Sequence, residues 1–394
     1  MILTPQNPAM DGTTPSSKTA RMLALRTAKW VVVFLVGVVS LVCLLVPASA
    51  DAQMSSTAST VTVAIPIMLA VAVMYTFSAM VEWAPLNVPF QRRLQTLAMV
   101  FVFPPLTGIY CMLIWASLLF FGSPGVRAVT LVYSVWCFVD RAPSTGGWNI
   151  PWLKRYLHGL SVYKYAFDYF GASVTKTCDL DPSKNYVFAY HPHGIIGLGA
   201  GFCFGTGGAG FADMFPGLNV SLMSLKVMFH VPFYREWLMA HGLTACGKKC
   251  CLKLLSEGPG RSICLAVGGA REAFDAIPNK MELTLKTRKG FVAVAVQAGA
   301  CLVPVLGYGE NELLDQVTAK PLRNIQEQSL TRMSFFWPMF YGRGIFNYTM
   351  GLLPHRRPLN IVVGAPIQCP KMDDMSSPEA RKVVDEMHLK YMQA

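Results

Sequence analysis

Two histidines in four residues, His191-Pro192-His193-Gly194, follow Tyr186 to Tyr190, an aromatic and β-branched run that predicts a strand. Ligands of open α/β sheets bind beyond the carboxyl ends of strands. Imidazole moves protons near neutral pH, so general-base chemistry is expected here. The same pair could be satisfied by backbone groups, or could bind a metal as His-x-His. A metal needs further ligands at a recognisable spacing, and His230 and His241 stand isolated. A second group, Val267-Gly268-Gly269-Ala270-Arg271-Glu272, closes another expected strand, Ser262 to Val267. Paired glycines let a backbone N–H approach a substrate oxygen, Arg271 offers a fork for phosphate or an oxyanion, and Glu272 can orient a histidine. A surface turn with a solvated Arg–Glu pair is the plainer alternative.

Lys286, Arg288 and Lys289 open an apolar helical run, Arg288 to Ala298, ahead of Gly307-Tyr308-Gly309-Glu310-Asn311-Glu312. Such cations suit the phosphates of a nucleotide-tailed thioester, or they mark a solvated helix end. The glycine-rich run from Gly194 to Gly210 contains G-x-G-x-x-G at Gly205 to Gly210. It does not directly follow a strand and lacks the acid about 20 residues on, so no dinucleotide fold is expected. Glycines in an apolar run permit close packing or backbone approach to an acyl chain. No G-x-S-x-G, P-loop or H-E-x-x-H occurs, which argues against serine hydrolase, NTPase and zincin chemistry.

The elements that must position these groups alternate. Strands are expected at Tyr186 to Tyr190, Ser262 to Val267, Cys301 to Leu306 and Leu359 to Val363. Helices are expected at Arg288 to Ala298 and Glu379 to Tyr391, the last with Ser377 as N-cap and Pro378 at its first position. That order predicts an α/β domain with a mostly parallel sheet over residues 150–394. Ahead of it, composition demands lipid: 53% of the 394 residues are hydrophobic and 14% charged, with mean hydropathy +0.39. A disordered or fibrous chain is excluded.

Residues 1–29 are read as a disordered leader. Apolar stretches follow at Trp30 to Pro47, Val61 to Val81, Leu97 to Phe121 and Val126 to Val139, against about 20 residues for a crossing helix. Within 30–81 this predicts one or two additional membrane stretches, the first shaped like a signal peptide because Ala48-Ser49-Ala50 resembles a cleavage site. Only Ser123, Pro124 and Gly125 part the last two stretches, so 97–139 is expected to form a membrane helical hairpin. Residues 151–170 mix aromatics with Lys154, Arg155 and Lys164, as an interfacial or surface helix does. Arg and Lys flank the stretches at 18–29, 92–93 and 141–155 but are absent from 48–60, which places the chain after residue 142 in the cytosol. The formal charge of +12 favours anionic membranes, nucleic acid or phosphate-bearing ligands. Eleven cysteines show no C-x-x-C or zinc spacing and read as reduced thiols.

In series, Tyr190-His191-Pro192-His193-Gly194 with Ile196-Gly197-Leu198-Gly199-Ala200, Gly268-Gly269-Ala270-Arg271-Glu272, Arg288-Lys289-Gly290-Phe291, Leu302-Val303-Pro304, Gly309-Glu310-Asn311-Glu312 and Gly342-Arg343-Gly344 resemble the type-two acyl-CoA:diacylglycerol acyltransferase family. The matches keep family order from about Trp152 to Lys371. Tyr169-Phe170-Gly171 stands where many members have Tyr-Phe-Pro, so no function is carried onto it.

The resemblance implies a membrane hairpin before a glycerolipid-acyltransferase-like α/β domain, acyl-CoA as co-substrate with no separate cofactor or metal, and diacylglycerol as acceptor. Monoacylglycerol and fatty-alcohol acyltransferases are relatives, and a non-enzymatic lipid transporter or scaffold is the alternative from another class. Triacylglycerol synthesis would take place at the endoplasmic reticulum membrane and lipid droplets. Membrane lipid is an expected partner, a homo-oligomer is compatible, and no feature favours nucleic acid. The expected mechanism is direct transfer. His193, or else His191, deprotonates the acceptor hydroxyl, and Glu272 supports the imidazole. Amides of Gly194, Gly268 and Gly269, with Arg271, meet the oxyanion; Arg288 and Lys289 hold CoA phosphates; Asn311 joins the substrate-binding set. An acyl-cysteine on Cys203 or Cys264 is the remote alternative.

Overall fold

The computed structural model describes residues 81–394. The leader, the apolar stretch expected at 30–47 and all but Val81 of the stretch expected at 61–81 lie outside the described residues. Among the described residues nine strands carry the fold: β1 (Ser173–Lys176), β2 (Tyr186–His191), β3 (Asn219–Ser224), β4 (Thr244–Ala245), β5 (Arg261–Ala266), β6 (Cys301–Tyr308), β7 (Asp315–Gln316), β8 (Phe340–Tyr341) and β9 (Asn360–Val363). Seven form one sheet in the order β1-β9-β6-β2-β5-β3-β4, with only the β6–β9 pair antiparallel. β2 is central and buried throughout, as a parallel strand covered on both faces must be. Tyr186, Phe188 and Tyr190 enter one core with Phe202, Phe204 and Phe211, while Val187 and Ala189 enter the other. That split follows from the two-residue period of a strand. Sequence reading missed β1, β3, β4, β7 and β8. β1 is short and polar, β3 alternates polar with apolar residues weakly (Asn219-Val220-Ser221-Leu222-Met223-Ser224), and β4, β7 and β8 have two residues each.

The main helices are α1 (Phe90–Thr107), α2 (Ile109–Phe121), α3 (Pro124–Val139), α4 (Pro151–His158), α5 (Ser161–Asp168), α6 (Tyr234–Ala240), α7 (Lys248–Leu255), α8 (Gly269–Asp275), α9 (Gly290–Ala298), α10 (Lys320–Met333) and α11 (Pro378–Gln393). The region expected as one interfacial helix is split into α4 and α5 at Gly159–Leu160. Its Trp152 and Tyr156 are exposed, while Tyr163, Ala166 and Phe167 are buried. Helices α7, α9 and α11 contribute to the core that takes Val187 and Ala189.

The hairpin differs from expectation in its first arm. α1 and α2 together are apolar enough for a span, but they bend by 67°. Pro104 and Pro105 remove two backbone donors, and Gly108 adopts φ +73° to end the helix. Ala98, Met99, Val102 and Phe103 of α1 then join the core that also takes Tyr186, Phe188 and Tyr190 of β2. The exposed hairpin is α2–α3, tied by Trp115 Nε1 donating to Ser134 Oγ at 2.9 Å. Among the described residues no single helix is long and apolar enough to cross a membrane.

Candidate active site

Because β2, β5 and β6 are parallel neighbours, the segments leaving their carboxyl ends share one edge of the sheet. Those segments carry His191-to-Gly194, Gly268-to-Glu272 and Gly309-to-Glu312. His191 closes β2 and is buried, with Nε2 3.2 Å from the Tyr391 hydroxyl and Nδ1 3.9 Å from Glu272 Oε1. His193 is half-buried, and its Nδ1 lies 3.0 Å from the Gly194 carbonyl. A carbonyl only accepts, so Nδ1 carries the proton and Nε2 presents its lone pair. Nε2 has no hydrogen-bond partner among the described residues. Burial pulls this imidazole below its ordinary value against the opposing Gly194 carbonyl and Glu272 charge, so the ring is neutral at physiological pH.

Glu272 lies in the first turn of α8 and is buried. Oε2 accepts the His193 N–H at 2.9 Å and Oε1 the Thr284 N–H at 2.7 Å. Burial pushes its carboxyl up, but the His191 ring and those two amides outweigh burial and hold it below its usual value. Glu272 thus grips His193 by its main chain, and the ring it faces is that of His191. Of the two imidazoles Glu272 is expected to orient or support, it faces that of His191, and it reaches His193 only through the main chain.

The three glycines expected to face an oxyanion have distinct structural reasons. A Cβ on Gly268 would stand 1.8 Å from Glu272 Cδ, and one on Gly194 2.5 Å from Glu310 Cγ. Gly269 has open space around its Cα but a φ of +59°, which L side chains avoid. Among the cations, exposed Arg288 reaches Gly268, its Nη2 3.5 Å from that carbonyl. Lys289 pairs with Asp385 and Arg271 with Asp275, both at 2.7 Å. Asn311 is buried and donates to the Lys280 carbonyl at 2.7 Å, a structural tie. Cys203 and Cys264 are buried thiols whose pKa burial raises, which suppresses the nucleophilic thiolate. Among the described residues no three His, Cys, Asp or Glu side chains gather as a metal site would require.

Sequence reading assigned no role to Glu310, Tyr190, Thr284 or Tyr391. Glu310 is buried under the His193-bearing loop, its Oε2 accepting the Tyr190 hydroxyl at 2.8 Å and the Gly199 N–H at 2.9 Å. Burial pushes its carboxyl up to about 7. Its place after a strand in Gly309-Glu310-Asn311-Glu312 was the available signal. For Tyr391 there was none, since it meets His191 across 200 positions.

The family model for diacylglycerol acyltransferases matches residues 118–394. Diacylglycerol O-acyltransferase 2A of Umbelopsis ramanniana is 42% identical over 79% of this chain and 87% of its own length. Diacylglycerol O-acyltransferase 2 of Dictyostelium discoideum is 40% identical over 80% and 93%. The 2-acylglycerol O-acyltransferase 1 of Bos taurus is 38% identical over 79% and 92%. The matched span holds every motif at the β2, β5 and β6 edge, together with the α3 arm of the hairpin and the α11 helix. The chain belongs to the diacylglycerol acyltransferase family.

Proposed function

We propose that this chain transfers a fatty acyl group from acyl-CoA to the free hydroxyl of diacylglycerol, giving triacylglycerol and CoA. The observation that carries the reading is His193: a neutral ring with Nδ1 committed to a carbonyl and an Nε2 that has no hydrogen-bond partner among the described residues. In the reaction the acceptor O–H gives its proton to Nε2 as its oxygen attacks the thioester carbonyl. The C–S bond then breaks, and the imidazolium returns the proton to the departing CoA thiolate. Amides of the Gly194 and Gly268-Gly269 loops are the candidate donors to the transient oxyanion. Arg288, unpaired by any carboxylate among the described residues, is the first candidate for a CoA phosphate.

The setting is the endoplasmic reticulum membrane, with the catalytic domain in the cytosol and the α2–α3 hairpin in lipid; lipid droplets are a second location. Phe120, Phe121, Val129, Val132, Phe138 and Val139 on that hairpin are exposed, a surface suited to acyl chains rather than water. The test is expression in cells that lack triacylglycerol, with triacylglycerol, diacylglycerol and wax ester profiled. Triacylglycerol from the wild type, and a loss of about 10²- to 10⁴-fold in His193→Ala at equal protein level, is the expected result. Diacylglycerol made from monoacylglycerol, or wax ester, would reassign the acceptor; a fully active His193→Ala would overturn the base.

A further inference from the structure

The last helix reaches the candidate site with three side chains. Asp385 pairs with Lys289 at 2.7 Å. His388 Nε2 lies 3.1 Å from the carbonyl of Leu285, the neighbour of the Thr284 whose amide holds Glu272. Tyr391 is buried, its ring edge-on to Phe291 at 4.9 Å, its hydroxyl 3.2 Å from His191 Nε2 and 3.3 Å from the Ala189 carbonyl. On the other side of the His191 ring, Nδ1 is buried with no hydrogen-bond partner and faces the Glu272 carboxylate at 3.9 Å.

The Tyr391 hydroxyl has one proton, and the Ala189 carbonyl, which only accepts, takes it. The hydroxyl oxygen then turns a lone pair to the His191 ring and accepts from Nε2–H. We propose that Tyr391 is a positioning residue for acyl transfer: its hydroxyl holds the His191 ring against Glu272, and Glu272 in turn holds the His193 main chain. The inference rests on the reading of His193 as the base. It makes the carboxyl-terminal helix part of the active-site support.

The test is Tyr391→Phe in the full-length chain, assayed in isolated membranes with both substrates titrated. Phenylalanine keeps the ring against Phe291 and removes one hydroxyl. The expected result is a fall in kcat of about 10- to 100-fold, the usual effect of losing an outer-shell orienting group. KM for acyl-CoA and diacylglycerol and the protein level should stay within about twofold, since the buried hydroxyl acts through His191. A purely structural role would instead lower the protein level and leave kcat per folded enzyme unchanged, which would overturn the proposal. Wild-type kcat in Tyr391→Phe beside an inactive His193→Ala also overturns it while sparing the base assignment. A fully active His193→Ala removes both.

Discussion

Alanine at Gly268 should cripple the enzyme, whereas alanine at neighbouring Gly269 should not. Gly268 has φ −65° and ψ −30°, a backbone any residue adopts, so only space opposes a side chain there. The added Cβ would lie 1.8 Å from Glu272 Cδ and 2.2 Å from Oε1, so the buried carboxylate must retreat by more than an ångström. Retreat breaks the bonds it accepts from the His193 and Thr284 amides. Hydrogen bonds to charged groups contribute about 1.5–3 kcal/mol each, so about 3–6 kcal/mol of local anchoring is at stake. A catalytic group misplaced by about 1 Å costs about 10²-fold, which sets the expected fall in kcat/KM per folded enzyme. At Gly269 the added Cβ meets open space and the cost is backbone strain of about 1–2 kcal/mol. That variant should lose some folded protein while retaining kcat/KM within about threefold. The assay is acyl-CoA and diacylglycerol titration in isolated membranes, normalised to protein. Gly268→Ala activity within about threefold of wild type, or a larger loss in Gly269→Ala, would refute the steric reasoning.

The acidic limb of the pH–rate profile should lie below the ordinary imidazole value of 6.5, because burial depresses His193 and its neutral form is the proposed base; a limb above 6.5 would contradict this. Glu310 is raised from 4.5 to about 7, so its contribution to stability is full below about 4.5 and lost as pH rises through about 7. Glu310→Gln cannot ionise and should gain thermal stability relative to wild type between pH 5 and 8; an equal difference at both pH values would falsify the assignment. The proposed cytosolic orientation predicts that the sequons at Asn219 and Asn347 stay unglycosylated, and an endoglycosidase shift traced to either would reverse it.

Much of the scaffold is legible because local signals coincide with the global fold. Ser377 and Pro378 start α11 as their residue types require, Ser377 Oγ accepting the Ala380 amide at 3.2 Å. β2 and β6 stand out by their β-branched and aromatic residues, and β5 by the short apolar run Ile263 to Ala266. The bend of the first hairpin arm had its signal in Pro104, Pro105 and Gly108, but hydropathy averages over such breaks. α1 is also half claimed by the domain core, a partner that no window of sequence contains.

The sequence by itself determined which residue types stand at strand ends, and so made His193, Glu272 and Gly268 candidates for one site. What each of them does was decided by tertiary structure. Glu272 meets the His193 amide across 79 positions and faces the ring of His191 instead. Gly268 is small because a carboxylate occupies the space a side chain would fill. Tyr391 comes to His191 from the far end of the chain. Local sequence sets backbone preference over a few residues. Hydrogen-bond partnership and steric exclusion depend on which distant atoms the folded sheet brings within about 3 Å, and no local pattern encodes that distance.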